Sequence, residues 1–248
     1  MTHRWPLPSQ VEQDLLLSRA ICEIAGHPFL GSELVFRGGT ALHKLHLPEP
    51  LRYSEDLDYV RTTAGGIGPL VTALGELGRR LGFAASSVLR LHPKAIWKTA
   101  TDDGLPLKIK IEVNTHERSP ALPLARLPFN VESGWWNGGA QVTTFQPPEL
   151  MATKIRALYQ RSKGRDLFDL WLALTKLSLD PKAVLAAFEP YRPPGLTRQR
   201  AVANLRAKLA NPQFRNDISP LVAALPDGYH IDEAAGIVID QLLDHLDG

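Results

Sequence analysis

A chain of 248 residues, 44% hydrophobic and 22% charged, can bury most of the surface its unfolded form exposes; its composition is that of a globular protein, not a disordered or fibrous one. A net charge of +2 is too small to argue for a nucleic-acid partner, so only the distribution of charge could do so. The single cysteine, Cys22, excludes an intrachain disulfide framework and a cysteine-cluster zinc site, no apolar run is long enough to span a bilayer, and the opening MTHRWPLPSQ lacks a signal-peptide core, which makes the cytoplasm the expected location.

In chain order, residues 9–26 carry Val11, Leu15, Ile21 and Ile24 at helical spacing, with Ser9 as the expected N-cap and Cys22 as a buried thiol. Leu34, Val35 and Phe36 form a short apolar run that ends at Gly38-Gly39, a buried strand. A brief helix is expected over 41–47, stopped by Pro48 and Pro50. Asp56-Leu57-Asp58-Tyr59-Val60 alternates polar and apolar, as a half-buried strand does. Ile67, Leu70, Val71, Leu74, Leu77 and Leu81 make one stripe of an amphipathic helix over 65–81.

Strands are expected at 88–91 and 95–98, then a turn at Asp102-Asp103-Gly104. The cleanest alternation follows, with Lys108, Lys110, Glu112 and Asn114 on one face and Ile109, Ile111 and Val113 on the other. Residues 117–140, rich in proline and glycine, read as an irregular connection before a last strand at 142–145. After Pro147-Pro148 helical patterns dominate. The fold class is therefore α+β, with a mixed-sheet lobe over 1–146 and a helical lobe over 147–248.

The stretch from Phe36 to Tyr59 carries the strongest chemical signal. Asp56 and Asp58 are two apart on a strand and point to one face. Two carboxylates held that close repel each other unless a cation sits between them, and Mg²⁺ prefers one or two carboxylates together with substrate phosphates. Gly38-Gly39-Thr40 before a helical pattern is the complementary half, since glycines let backbone approach a phosphate. Either half alone is as well explained by a solvated strand face or a simple turn; together they read as a nucleotide–metal site.

Other residues carry two readings each. Glu112 is a third carboxylate for a metal site, or a surface glutamate paired with Lys110 or Lys108. Lys154 falls inside the apolar stripe of Leu150, Met151, Ile155 and Leu158, so its ammonium either snorkels out or meets an anion such as a triphosphate. Asp166 and Asp169 flank the stripe of Leu167, Leu170, Trp171 and Leu174, where an aspartate in a first turn also suits the helix dipole. Basic runs at 154–165 and 192–215 are solvated helix faces or a surface that tracks RNA phosphates. Trp135-Trp136 either stack a base or pin a loop. His43 and His46 lack a third ligand and read as structural or surface residues.

GGT-x3-K, from Gly38 to Lys44, followed by R-x-S-x-D-x-D at Arg52, Ser54, Asp56 and Asp58, resembles motif I of the AbiEii/MenT-type nucleotidyltransferase toxins. Lys154 is similar to their third motif, a lysine on the first helix after the sheet lobe, and Arg165-Asp166 with Asp169 to their fourth, R-D-x-x-D; at Glu112 related enzymes often carry aspartate. The resemblance implies a polymerase-β-like sheet lobe with a helical lobe closing over the cleft. It implies a monomeric toxin of a type IV toxin–antitoxin or abortive-infection system, with an antitoxin encoded by a neighbouring gene. Such toxins transfer a nucleoside monophosphate from an NTP to the 3′ end of tRNA with Mg²⁺ or Mn²⁺, blocking aminoacylation. In that scheme Gly38, Gly39 and Thr40 cradle the phosphates with Lys44 and Ser54 nearby, Asp56 and Asp58 hold the metal, and Glu112 completes the metal site or polarises the 3′-hydroxyl. Lys154 neutralises charge developing on the triphosphate, Asp166 orients it or assists as base, and Asp169 is a supporting residue. Two alternatives stay open: the same enzyme acting on a protein or small molecule, and a catalytically silent nucleotide-binding regulatory module.

Overall fold

The computed structural model describes residues 5–88 and 93–246. The chain packs as two compact units, Met1–Phe145 and Gln146–Gly248. The first opens with α1 (Pro8–Gly26), α2 (Leu30–Glu33), β1 (Leu34–Arg37), α3 (Gly38–Ala41) and a π-turn at Leu42–His46. It continues with β2 (Asp56–Arg61), α4 (Gly68–Arg80), β3 (Ala84–Val88), β4 (Lys94–Ala100), β5 (Pro106–Asn114), β6 (Ala125–Val131) and β7 (Gly138–Thr144). The strands form one seven-stranded sheet in the order β3-β4-β5-β2-β1-β7-β6. β2 runs parallel to β5 and antiparallel to β1, so β2 is a central strand with both edges paired.

The alternation in β5 translates directly into packing. Leu107, Ile109, Ile111 and Val113 are buried, while Lys110, Glu112 and Asn114 are half-buried on the other face. Their apolar face joins Leu57 and Tyr59 of β2, Leu17, Ile21 and Ile24 of α1 and Leu70, Leu74 and Leu77 of α4 in one core. Gly78 of α4 meets the Trp97 ring so closely that a Cβ there would lie 2.5 Å from Nε1.

The structure corrects several expectations. Helix α1 begins at Pro8, with Gln10 Oε1 accepting the Leu7 N–H (3.1 Å), so Ser9 is not its N-cap. The stretch 117–140 is not wholly irregular, because Ala125–Val131 forms β6 and β7 starts at Gly138. β6 is an edge strand, which tolerates Pro128 because one side of it needs no donor. Of the strand expected at 88–91, residue 88 ends β3 and the rest lies outside the described residues. Arg19 lies over both Trp135 and Trp136, 5.5 and 5.8 Å from the ring centroids, which pins their loop to α1.

The second unit holds α5 (Pro147–Gln160), α6 (Gly164–Thr175), α7 (Pro181–Phe188), α8 (Arg198–Leu209), α9 (Pro212–Asn216) and α10 (Ile231–Gln241), with 3₁₀ turns between them. Helix α6 is its centre, buried almost continuously from Asp166 to Leu174, with Phe168 and Trp171 set edge-on to Tyr229 at 4.9 and 5.0 Å. Among the described residues no helix is long and apolar enough to cross a membrane.

Candidate active site

The first unit brings the two halves of the Phe36–Tyr59 stretch into contact. β1 delivers the chain to Gly38, whose φ of 81° lies in the left-handed region that glycine adopts at little cost. A Cβ on Gly38 would stand 2.5 Å from Asp58 Oδ2, and one on Gly39 would collide with the buried Arg52 guanidinium. The glycines thus serve Asp58 and Arg52 directly, a role that spacing alone does not reveal. Thr40 is buried, donates to the Asp56 carbonyl oxygen (2.5 Å) and shares a hydrogen bond with Ser54 Oγ (2.8 Å). Its hydroxyl therefore ties the glycine turn to the start of β2. Lys44 faces elsewhere: its ammonium pairs with Asp14 of α1 (2.7 Å) and donates to Ser18 Oγ (2.9 Å).

Pairing of β2 with β5 sets Asp58 opposite Glu112 and Asp56 opposite Lys110. The ammonium of Lys110 bridges the two strands, 3.0 Å from Asp56 Oδ1 and 3.0 Å from Glu112 Oε1, and Lys94 of β4 also reaches Glu112 at 2.8 Å. Burial works against the charge on Glu112, but the two lysines outweigh it and hold the carboxyl below the usual glutamate range. For Lys110 burial likewise opposes charge, and Asp56 with Glu112 keeps its pKa above the ordinary lysine value. Asp58 and Glu112 then line a pocket of about 100 Å³ with Arg37, Tyr59, Val113 and Asn114. The Lys110–Glu112 contact is the pairing that the sequence reading set against a metal role, whereas Arg37, which pairs with Glu117 at 2.7 Å, and Lys94 are site neighbours that it did not assign.

Asp56, Asp58 and Glu112 are hard oxygen donors on one face of two adjacent strands, the donor chemistry that suits Mg²⁺ or Mn²⁺. As the side chains stand, Lys110 fills the space between two of them, and among the described residues no three His, Cys, Asp or Glu side chains form a ready metal cage.

In the second unit, Lys154 and Asp166 are direct partners. Asp166 and Asp169 are fully buried rather than flanking a solvated face, and Lys154 is 6% exposed. The Lys154 ammonium lies 2.9 Å from Asp166 and 2.8 Å from Asp169. Arg161 adds a two-pronged contact to Asp166, at 2.7 and 2.8 Å. Burial pushes the Asp166 carboxyl up, but Lys154 and Arg161 outweigh it and hold its pKa below the ordinary aspartate value. Lys208 closes the C-terminal end of α5 by donating to the Leu158 and Tyr159 carbonyls, and burial lowers its pKa to about 8. A third buried acid, Glu149, accepts from the Tyr191 hydroxyl at 2.5 Å.

The family model for the AbiEii nucleotidyl transferase toxins of type IV toxin–antitoxin systems matches residues 19–237. Among solved structures, MenT4, a nucleotidyltransferase toxin from Mycobacterium tuberculosis H37Rv, has a TM-score of 0.62 at 19% identity, over 96% of this chain and 85% of that one. At that identity the likeness speaks for the fold alone, a MenT-type mixed sheet followed by helices. An antigenic nucleotidyltransferase-like protein from Paracoccidioides brasiliensis, also 19% identical over 90% of this chain and 97% of its own, has a TM-score of 0.41 and carries no argument. No curated protein matches the chain.

Proposed function

We propose that this chain, which belongs to the AbiEii nucleotidyl transferase toxin family of type IV toxin–antitoxin systems, transfers a nucleoside monophosphate from an NTP to the 3′ end of tRNA. The observation that carries the reading is the register of β2 on β5, which sets Asp58 beside Glu112 with Gly38 packed against Asp58. That is a carboxylate cluster on a rigid central strand, next to a backbone turn without side chains.

Asp56, Asp58 and Glu112 would hold Mg²⁺ or Mn²⁺. When bound, the ion supplies charge neutralisation at the reacting phosphate and acidifies the attacking hydroxyl. In the reaction the 3′ oxygen of the acceptor bonds to the α-phosphorus, the bond to pyrophosphate breaks, and the hydroxyl proton is released to solvent. The protein's work is then mostly positioning and electrostatics. Gly38, Gly39 and Thr40 present backbone to the phosphates, with Ser54 fixing Thr40. Lys44 supports the turn through α1, where it pairs with Asp14. In the helical unit, Asp166 and Asp169 hold the Lys154 ammonium in place.

An RNA acceptor is supported by the exposed arginines of α8, Arg198, Arg200 and Arg206. The toxin would act in the cytoplasm as a monomer, held in check by a cognate antitoxin. The test is transfer of label from each NTP, labelled at the α-phosphate, to total tRNA with Mg²⁺, using Asp58→Ala as control. Label on tRNA that disappears with Asp58→Ala is the expected result. Label on protein or on a small molecule instead moves the acceptor away from RNA, and nucleotide binding without any transfer makes the chain a regulatory module.

A further inference from the structure

Lys110 touches carboxylates on both strands of this cluster, Asp56 on β2 and Glu112 on β5, and Glu112 has a second cation in Lys94. Lys94 already stands 2.8 Å from Glu112, closer than Lys110 at 3.0 Å. The second contact of Lys110, with Asp56, is also 3.0 Å, so the ammonium sits between two acids that lie on adjacent strands. Asp56, Asp58 and Glu112 together carry three negative charges, and such a group repels itself unless a cation lies within it. A tethered ammonium meets that need at the place where a divalent ion would bind.

We propose that Lys110 is the resident counter-cation of the carboxylate site, holding the place between Asp56 and Glu112 until a divalent ion arrives with nucleotide, and then pairing with the nucleotide's phosphates. The inference rests on the metal-dependent reading above. Backbone pairing fixes the Lys110 Cα beside Asp56, so a displaced ammonium stays within reach of phosphate oxygens arriving with the ion. Lysine suits this exchange, as a compact charge on a flexible stem with three rotatable donors. Its consequence is ordered binding: metal alone must evict Lys110 without giving it a new partner, whereas metal with nucleotide supplies one.

The experiment is Mn²⁺ titration of the full chain, followed by the electron-spin signal of free Mn²⁺, with and without a non-hydrolysable NTP analogue. Wild type, Lys110→Met, Lys110→Gln, Lys110→Arg and Asp58→Ala are compared, and circular dichroism establishes that each is folded. Without nucleotide, Lys110→Met and Lys110→Gln are expected to bind Mn²⁺ about tenfold more tightly than wild type, an ordinary coupling between two competing cations. Lys110→Arg stays near wild type. Nucleotide tightens Mn²⁺ binding in the wild type and does so less in the two neutral variants. Equal or weaker Mn²⁺ binding by both neutral variants overturns the counter-cation role, and an undiminished nucleotide effect overturns the phosphate role. If Asp58→Ala binds Mn²⁺ as wild type does, the metal reading itself fails; if it loses Mn²⁺ while the Lys110 variants are unchanged, only the Lys110 inference falls.

Discussion

Gly38 and Asp58 are fitted to one another: a methyl group on Gly38 would stand 2.5 Å from Asp58 Oδ2, and the Gly38 backbone holds a φ of 81°. Two penalties therefore meet in Gly38→Ala, a left-handed backbone that L residues resist and a carboxylate pushed out of place. Destabilisation of about 1–3 kcal/mol is expected, with nucleotidyl transfer lost even where the variant remains folded. Gly66→Ala is the matched control, since a Cβ there meets nothing within 4 Å. Urea unfolding and label transfer on both variants check the pair. Equal behaviour of the two would remove Gly38 from the site.

Thr40 makes a different kind of prediction, because its methyl and its hydroxyl can be separated. Thr40→Val keeps the shape and deletes the bonds to Ser54 and to the Asp56 carbonyl. A buried acceptor left without its donor costs about 1–3 kcal/mol, and the start of β2, which carries Asp56, loses its tie to the glycine turn. Thr40→Ser keeps the hydroxyl and is expected to retain most transfer activity. The ratio of kcat between the two variants, measured on folded protein, reads the positioning role separately from stability.

The sheet's interior was legible because alternation on β5 and the Leu70–Leu74–Leu77 stripe of α4 state which faces are buried. β6 was hidden by Pro128, which marks a loop in most contexts and is harmless only on an edge strand. Charged partners were harder still. Lys44 finds Asp14 and Lys110 finds Asp56 across long stretches of chain, pairings set by how α1 packs and by strand register. Asp166 and Asp169 read as flank residues because nothing local announces that α6 is buried on nearly every side. The motif spacing placed the candidate residues on strands or helices, but which of them pair with each other is a property of the fold.

Gly236 is expected to be replaceable to advantage. It lies within α10, where a Cβ would meet nothing within 4 Å and no positive φ is required. Gly236→Ala should stabilise the helical unit by about 0.5–1 kcal/mol, mainly by reducing the freedom of the unfolded chain. A thermal melt shows it as a rise in midpoint, with label transfer unchanged. A fall would mean that α10 needs the backbone freedom of the glycine.

The buried cluster of Lys154, Asp166, Asp169 and Arg161 predicts both a mutational and a pH signature. Lys154→Met strips one ammonium from two fully buried carboxylates. Removing one member of such a cluster costs up to about 3–5 kcal/mol, because the two buried carboxylates lose a shared cation, although Arg161 stays on Asp166. Asp166 is held below its ordinary value of 3.8 in the folded protein by Lys154 and Arg161, against the upward push of burial. The unfolded chain therefore binds the proton more readily. The stability that this depression contributes is fully present above pH 3.8, and it is lost as pH falls through the lower native value. Urea unfolding of wild type and Asp166→Asn across that range checks the sign: their difference should be largest near neutrality and shrink in acid. A difference that does not change with pH would show that charge on Asp166 is not what the cluster uses. A Lys154→Met variant as stable as wild type but inactive would assign the ammonium to substrate rather than to the fold.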